Sequence, residues 1–252
     1  MIAHRIARGI IVFSIYIISR LFRLYSRLDR YDSLRNLELA WIIPFRYMFL
    51  TRLGEAYIVE SALSGRYYDV TLLDSSVIID IGAHIGTFTV RACRKIKGKG
   101  LVVAIEPEPS NLWYLVINLS INKCKNVKII RAACSDSDGY DYLYLHGFTG
   151  HSIVIHSKER IPVRTLRLDT LSSKLKCFLS DKNVSIKMNA EGAELRILRG
   201  ATETLRYCNV IVIAAHHYPH QARDVGVFLK KEGFIIKVIE VKGNRLVIGL
   251  RA

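Results

Sequence analysis

The sequence predicts an α/β fold, a seven-stranded sheet with helices on both faces, on three observations. Short β-branched apolar runs alternate with helix-length segments from Val77 onward, the pattern of parallel strands buried on both faces. The first run ends in a glycine turn, Asp80-x-Gly82-x-x-x-Gly86. The last two runs flank Gly243-Asn244 and are expected to close the sheet as a hairpin. With 252 residues, the chain can bury the core of one large domain carrying an extension.

Residues 1–31 predict a basic amphipathic helix. On a helical wheel Arg5, Arg8, Arg20, Arg23, Arg27 and Arg30 fall within an arc of about 120°, with Ile6, Ile10, Phe13, Ile17 and Leu21 opposite. The uninterrupted apolar stretch from Gly9 to Ser19 would rise only about 16 Å as a helix, against a hydrocarbon core of about 30 Å. An anionic membrane surface is the expected partner of such a helix. Docking on the domain or on a second subunit is the alternative. A cleavable secretory signal is disfavoured, because no small-residue cleavage site follows and arginines crowd its place. Residues 32–74 predict a helical cap broken at Pro44, and residues 75–252 the main domain.

Within that domain the expected strands are Val77 to Ile81, Leu101 to Ile105, Val127 to Ala132, Val184 to Met188, Val210 to Ala214, Phe234 to Val241 and Arg245 to Leu250. An insertion with short alternating runs, Tyr140 to Leu145 and Ser152 to His156, predicts small strands near a ligand cleft. The glycine turn lets the backbone approach a ligand and aims helix N-terminal N–H groups over the sheet edge. It is neither the G-x-G-x-x-G of dinucleotide sites nor a P-loop, and suits a ligand lacking a pyrophosphate, such as S-adenosylmethionine. Glu106 ends the second strand roughly 20 residues past the turn, where a carboxylate can accept hydrogen bonds from both ribose hydroxyls of an adenosine.

A formal net charge of +15 and a pI near 9.7 imply attraction to polyanions without choosing among nucleic acid, anionic lipid and acidic glycan. The hydrophobic content of 50% excludes a disordered chain. Five scattered cysteines, with no C-x-x-C pair, indicate neither a disulfide framework nor a zinc site. They fit a reducing, cytoplasmic setting, with peripheral attachment to the inner membrane surface as an option for the N-terminal helix.

Taken together, the motifs resemble the FkbM-type S-adenosylmethionine-dependent methyltransferases. The matching segments are Ile79 to Gly86, Ala104 to Asn111, Asn118, Asn126 to Asp136, Gly150 to Ser152, Val163 to Leu171 and Ile186 to Ala201. The resemblance implies the class I methyltransferase Rossmann-like sheet, S-adenosyl-L-methionine as cofactor, and methyl transfer to a hydroxyl of a glycan, lipid or metabolite. It implies cofactor contacts at Asp80, Gly82, Ala83, Gly86 and Glu106, and places Asp136 near the adenine edge.

Two positions depart from the family pattern, Asn189 where an Asp is usual and Ala214 where a Glu is usual. A hydroxyl acceptor needs a base for its proton. Glu191 and His216, at the ends of the fourth and fifth strands, are the candidates, with Asn189 beside them. Glu191 alternatively caps the helix that follows it. The run from His216 to His220 lacks the Cys or acid partners of a zinc site, so no metal is expected. Asn189 is followed by Ala190-Glu191-Gly192, without the Pro-Pro-aromatic loop that stacks a base, so nucleic acid is the less favoured partner. RNA methylation through the basic surface and a non-catalytic cofactor-fold protein at the membrane are the alternative functions.

Overall fold

A computed structural model describes residues 10–14, 37–42, 47–59, 68–72, 75–96, 100–147, 150–175, 183–241 and 243–251. The strands are β1 (Ile10–Ser14), β2 (Leu37–Ile42), β3 (Tyr47–Arg52), β4 (Val77–Ile81), β5 (Leu101–Ile105), β6 (Val127–Ile130), β7 (Ala133–Cys134), β8 (Gly139–Tyr144), β9 (Arg160–Leu166), β10 (Val184–Met188), β11 (Cys208–Ala214), β12 (Ile235–Val241) and β13 (Asn244–Leu250). The helices are α1 (Thr87–Ile96), α2 (Pro109–Ile121), α3 (Leu168–Lys174), α4 (Glu194–Arg199), α5 (Thr202–Leu205) and α6 (Gln221–Lys231).

The main sheet has seven strands in the order β12-β13-β11-β10-β4-β5-β6. Neighbours from β11 to β6 pair in parallel, whereas β13 lies antiparallel to both β11 and β12. This is the class I methyltransferase sheet expected from the resemblance, closed by the expected hairpin. Every residue of β4 and β10 is buried, which explains their near-continuous apolar sequence. Of the three polar exceptions, Ser185 lies within hydrogen-bond distance of Ser75, and Asp80 and Lys187 stand opposite each other in the β4–β10 register.

The insertion differs in one strand. Gly139–Tyr144 is a strand, as expected for Tyr140 to Leu145, and pairs antiparallel with Arg160–Leu166, whereas Ser152 to His156 is not a strand. Ser152 makes only an isolated bridge to Tyr144. Its Oγ accepts from Val154 N at 3.1 Å and Ile155 N at 3.0 Å, curling the chain out of strand geometry.

The N-terminal expectations need correction. Most of the helix predicted for residues 1–31 lies outside the described residues, but Ile10–Ser14 is a strand paired antiparallel with Leu37–Ile42. The β-branched Ile-Ile-Val core of this segment favours a pleated strand once a partner edge is available. In the predicted cap at 32–74 half of the described residues are strand, β2 pairing with β3, and helical residues follow only at 56–59 and in the 3-10 turn Asp69–Leu72. Alternation of Leu37, Leu39 and Trp41 is a period of two that competes with the helical period. Among the described residues, no helix is long and apolar enough to cross a membrane.

Strand β3 docks on α2 through two asparagines one helical turn apart. Asn118 Oδ1 accepts from Leu50 N at 2.7 Å and its Nδ2 donates to Leu50 O at 3.1 Å. Asn122 Oδ1 accepts from Met48 N at 3.3 Å and its Nδ2 donates to Met48 O at 2.6 Å. Helical neighbours four apart and strand neighbours two apart have similar spacing, so two amides serve the edge of β3 as a partner strand would. Phe49 and Leu50 are buried with Tyr114, Leu115 and Leu119 of α2.

Candidate active site

A cavity of about 240 Å³ opens above the C-terminal ends of β4, β5 and β10. Its central wall is the turn after β4. Gly82, His84 and Gly86 have φ of 71°, 53° and 89°. Gly82 and Ala83 line the cavity, and their N–H groups donate to Ile105 O at 3.0 and 3.1 Å. Gly86 lies behind the turn, where a Cβ would come within 2.5 Å of Leu115 Cδ1. It therefore allows α2 to pack against the turn rather than offering a surface to a ligand.

Glu106 lines the β5 side. Its Oε2 accepts from His84 N at 2.8 Å, and its Oε1 from Glu108 N at 3.1 Å and Asn111 Nδ2 at 3.4 Å. A carboxylate offers about four lone-pair sites, so Oε2 retains acceptor capacity for a ribose hydroxyl. Burial pushes the carboxyl up to about 7, against these three hydrogen bonds, which favour the anion. Ala132, Ala133 and Cys134 continue the wall beside Glu106 and supply the apolar surface an adenine ring requires. These residues fit S-adenosylmethionine.

Besides Gly86, two further expected cofactor contacts, Asp80 and Asp136, do not line the cavity. Asp80 is fully buried beneath the turn, its Oδ1 2.9 Å from Lys187 Nζ and its Oδ2 accepting from Thr89 Oγ1. Lys187 also donates to Gly82 O at 2.8 Å, so Asp80 acts on the turn through Lys187 and does not line the cavity. Asp136 is exposed and pairs with Arg196 Nε at 3.0 Å, and the same guanidinium reaches Asp141 at 2.9 Å. Asp136 does not line the cavity.

On the β10 side the cavity is lined by Asn189 and Glu191. Among the described residues Asn189 Oδ1 is buried without a hydrogen-bond partner, while its Nδ2 donates to Glu191 Oε1 at 3.3 Å. Glu191 has a left-handed φ of 51°, followed by Gly192 at 98°. Such a conformation costs a non-glycine residue of order 1–3 kcal/mol and persists where surroundings over-determine it. Here Ser152 Oγ donates to Glu191 O at 2.7 Å, giving the Gly150-His151-Ser152 motif a physical role.

His216 is exposed and does not line the cavity. Its neighbour His217 is the ring that meets the carboxylates, with Nδ1 3.3 Å from Glu191 Oε2 and Nε2 3.4 Å from Glu194 Oε1. Burial alone would lower the His217 pKa, but the two carboxylates more than reverse this and push it up to about 9. Burial opposes ionisation of Glu191, yet His217, with His216 and Lys187 adding, holds its carboxyl below the ordinary value. At neutral pH the pair is therefore an imidazolium and a carboxylate. Glu194, fully buried, accepts from Ala190 N at 2.8 Å and from Gln221 Nε2, and Gln221 Oε1 accepts from His217 N at 2.8 Å. The adjacency of two histidines was the only sequence signal for His217. Among the described residues no group of His, Cys, Asp and Glu could hold a metal ion.

Cofactor affinity should depend on pH through Glu106. The ionised form accepts hydroxyl protons, so S-adenosylmethionine should bind more tightly at pH 8 than at pH 6 by calorimetry, and Glu106→Gln should bind weakly with no such slope. Stability of the free protein should run the other way. A carboxyl raised above its ordinary 4.5 contributes stability below that value, which is lost as pH rises through about 7.

The family model of the methyltransferase FkbM domain matches residues 80–236. Among curated proteins the chain is similar to methyltransferase sdnD of Sordaria araneosa, 25% identical over 189 residues, which is 62% of this chain and 73% of that protein. Among solved structures it is similar to Aeropyrum pernix fibrillarin in complex with natively bound S-adenosyl-L-methionine, at 11% identity and a TM-score of 0.48, over 88% of this chain and 96% of that one. It is also similar to precorrin-6y C5,15-methyltransferase from Geobacter metallireducens GS-15, at 17% identity and a TM-score of 0.46, over 79% and 90% of the two chains.

Proposed function

The chain belongs to the FkbM-domain methyltransferases, which use S-adenosylmethionine, and from that premise we propose that it methylates a hydroxyl of a glycan, lipid or small metabolite, with Glu191 as the base. The observation that carries this reading is an anionic carboxylate, braced by His217, in the same cavity as the Glu106 carboxylate.

When bound, the cofactor supplies an electrophilic methyl carbon on a sulfonium for in-line displacement, so catalysis depends largely on positioning. Gly82 and Ala83 present the backbone of the turn to it, and Glu106 would accept from its ribose. Glu191 would take the hydroxyl proton as the new oxygen–carbon bond forms and the sulfur–carbon bond breaks. Asn189 Oδ1, buried and without a partner among the described residues, offers an acceptor to a donor group in the cavity. The substituted family Asp is thus replaced by a group that still accepts a hydrogen bond but carries no charge.

The test is transfer of a labelled methyl group from S-adenosylmethionine to extracted glycans, lipids and metabolites, with total RNA alongside. Label should enter a hydroxyl-bearing fraction. Glu191→Gln should lower that transfer by about 10²–10⁴-fold, the usual contribution of a general base, while cofactor binding persists. Label in RNA alone, or full activity in Glu191→Gln, would refute the proposal.

A further inference from the structure

The N-terminal sheet touches both halves of the cofactor site, although it lies outside the span matched by the family model. One bridge runs through Asn118. Besides its two bonds to Leu50 of β3, its Nδ2 donates to Ile85 O at 2.8 Å, inside the glycine turn. Asn118 is fully buried, so these bonds are shielded from water.

The other bridge runs through Arg52, the last residue of β3. Its Nη2 donates to Asn111 Oδ1 at 3.0 Å and to Ser110 Oγ at 2.7 Å, and lies 3.6 Å from Glu108 Oε2. Its Nη1 pairs with Glu55 at 3.3 Å, and the guanidinium sits 4.9 Å from the centroid of the Tyr114 ring. A planar fork held on so many sides has little freedom. The bond to Asn111 Oδ1 fixes which end of that amide is oxygen. With the oxygen engaged by Arg52, the nitrogen is the end presented to Glu106. Were the amide reversed, both contacts would place like groups together.

We propose that Arg52 is a positioning residue of the cofactor site, holding the Asn111 amide so that it donates to the Glu106 carboxylate, and that strand β3 is thereby a working part of that site. Arg52 acts through Asn111 and does not touch the cofactor. The inference rests on Glu106 binding the ribose of S-adenosylmethionine. It predicts that a segment outside the methyltransferase domain sets cofactor affinity.

The experiment is a double-mutant cycle read by calorimetry with S-adenosylmethionine on the full chain. Arg52→Gln and Asn111→Ala should each weaken binding by about tenfold, the cost of one hydrogen bond to a charged group. The double variant should be no weaker than the poorer single one, because both remove the same bond. Arg52→Lys, which keeps the charge without the fork, should fall between. A second readout separates positioning from scaffolding, since loss of the Asn111 donor should move the pH at which binding is half lost upward. Glu106 faces the Glu108 carboxylate, the His84 backbone and Asn111, and of these only Asn111 is altered in the Asn111→Ala protein, where Arg52 keeps its remaining partners. Additive losses, or unchanged affinity in Arg52→Gln, would overturn the proposal. If Glu106→Gln binds as tightly as the unaltered chain, the ribose reading fails first and this inference falls with it.

Discussion

Replacing Gly82 by alanine should destabilise the protein by about 2–6 kcal/mol and abolish cofactor binding, the sum of backbone strain and steric overlap. Gly82 has a φ of 71°, and a Cβ there would lie 1.9 Å from Asn189 O and 3.0 Å from Asn189 C. Neither side can yield. Gly82 N donates to Ile105 O, Gly82 O accepts from Lys187, and Asn189 N donates to Ile81 O at 3.0 Å. The glycine thus lets the end of β10 approach the turn after β4, and brings Glu191 into the cavity that Glu106 lines. Gly54 is the control, with a φ of 87° but nothing within 4 Å of its added Cβ. Gly54→Ala should cost only the conformational part, about 1–2 kcal/mol. Urea denaturation of both variants measures the difference, and equal costs would show that the contact with Asn189 is unimportant.

What the sequence disclosed was set by local chemistry. Strands β4 and β5 were visible because, Asp80 apart, burial leaves only Val, Ile, Leu and Ala in them, and β10 carries Val184, Ile186 and Met188 beside Ser185 and Lys187. Gly82 and Glu106 were visible because the turn and the strand end that bear them are contiguous with those runs. The side-chain partners were hidden because they come from distant segments. Asp80 looked like a ligand residue, but its cation, Lys187, is aligned with it only by the register of two strands adjacent in space and remote in sequence. Asp136 has a partner the sequence hid, Arg196, which approaches it from α4. His216 and His217 follow the end of β11, where the loop geometry decides which ring meets Glu191 and Glu194. At the N-terminus two periods competed. The arginine spacing fits a helix, while Ile10–Ser14 and Leu37–Ile42 pair as strands, a long-range event that no window of sequence contains.

Lys187→Met should be nearly as damaging as the glycine change, for an electrostatic reason. Lys187 and Asp80 have side chains 7% and 0% exposed, and the substitution removes the cation while leaving the carboxylate in a dry environment. Breaking a buried pair by removing one partner typically costs about 3–5 kcal/mol, far more than the net worth of the pair. Thr89 would still donate to Asp80 Oδ2, but Oδ1 would lose its cation and Gly82 O a donor. For a chain of this size each kcal/mol shifts the melting temperature by about 2–4 °C, so the loss should be about 6–20 °C. Methionine approximates the volume of the lysine stem and keeps its packing near Tyr68 and Phe88, which isolates the charge effect. The decisive comparison is the double variant Asp80→Asn with Lys187→Met. If the damage comes from an uncompensated carboxylate, neutralising it should restore much of the stability despite a second substitution in the core. Cofactor affinity should recover less, because the lysine bond to Gly82 O is still missing from the turn. A double variant as unstable as Lys187→Met alone would mean that Lys187 matters for packing or for the turn, and that its pairing with Asp80 contributes little.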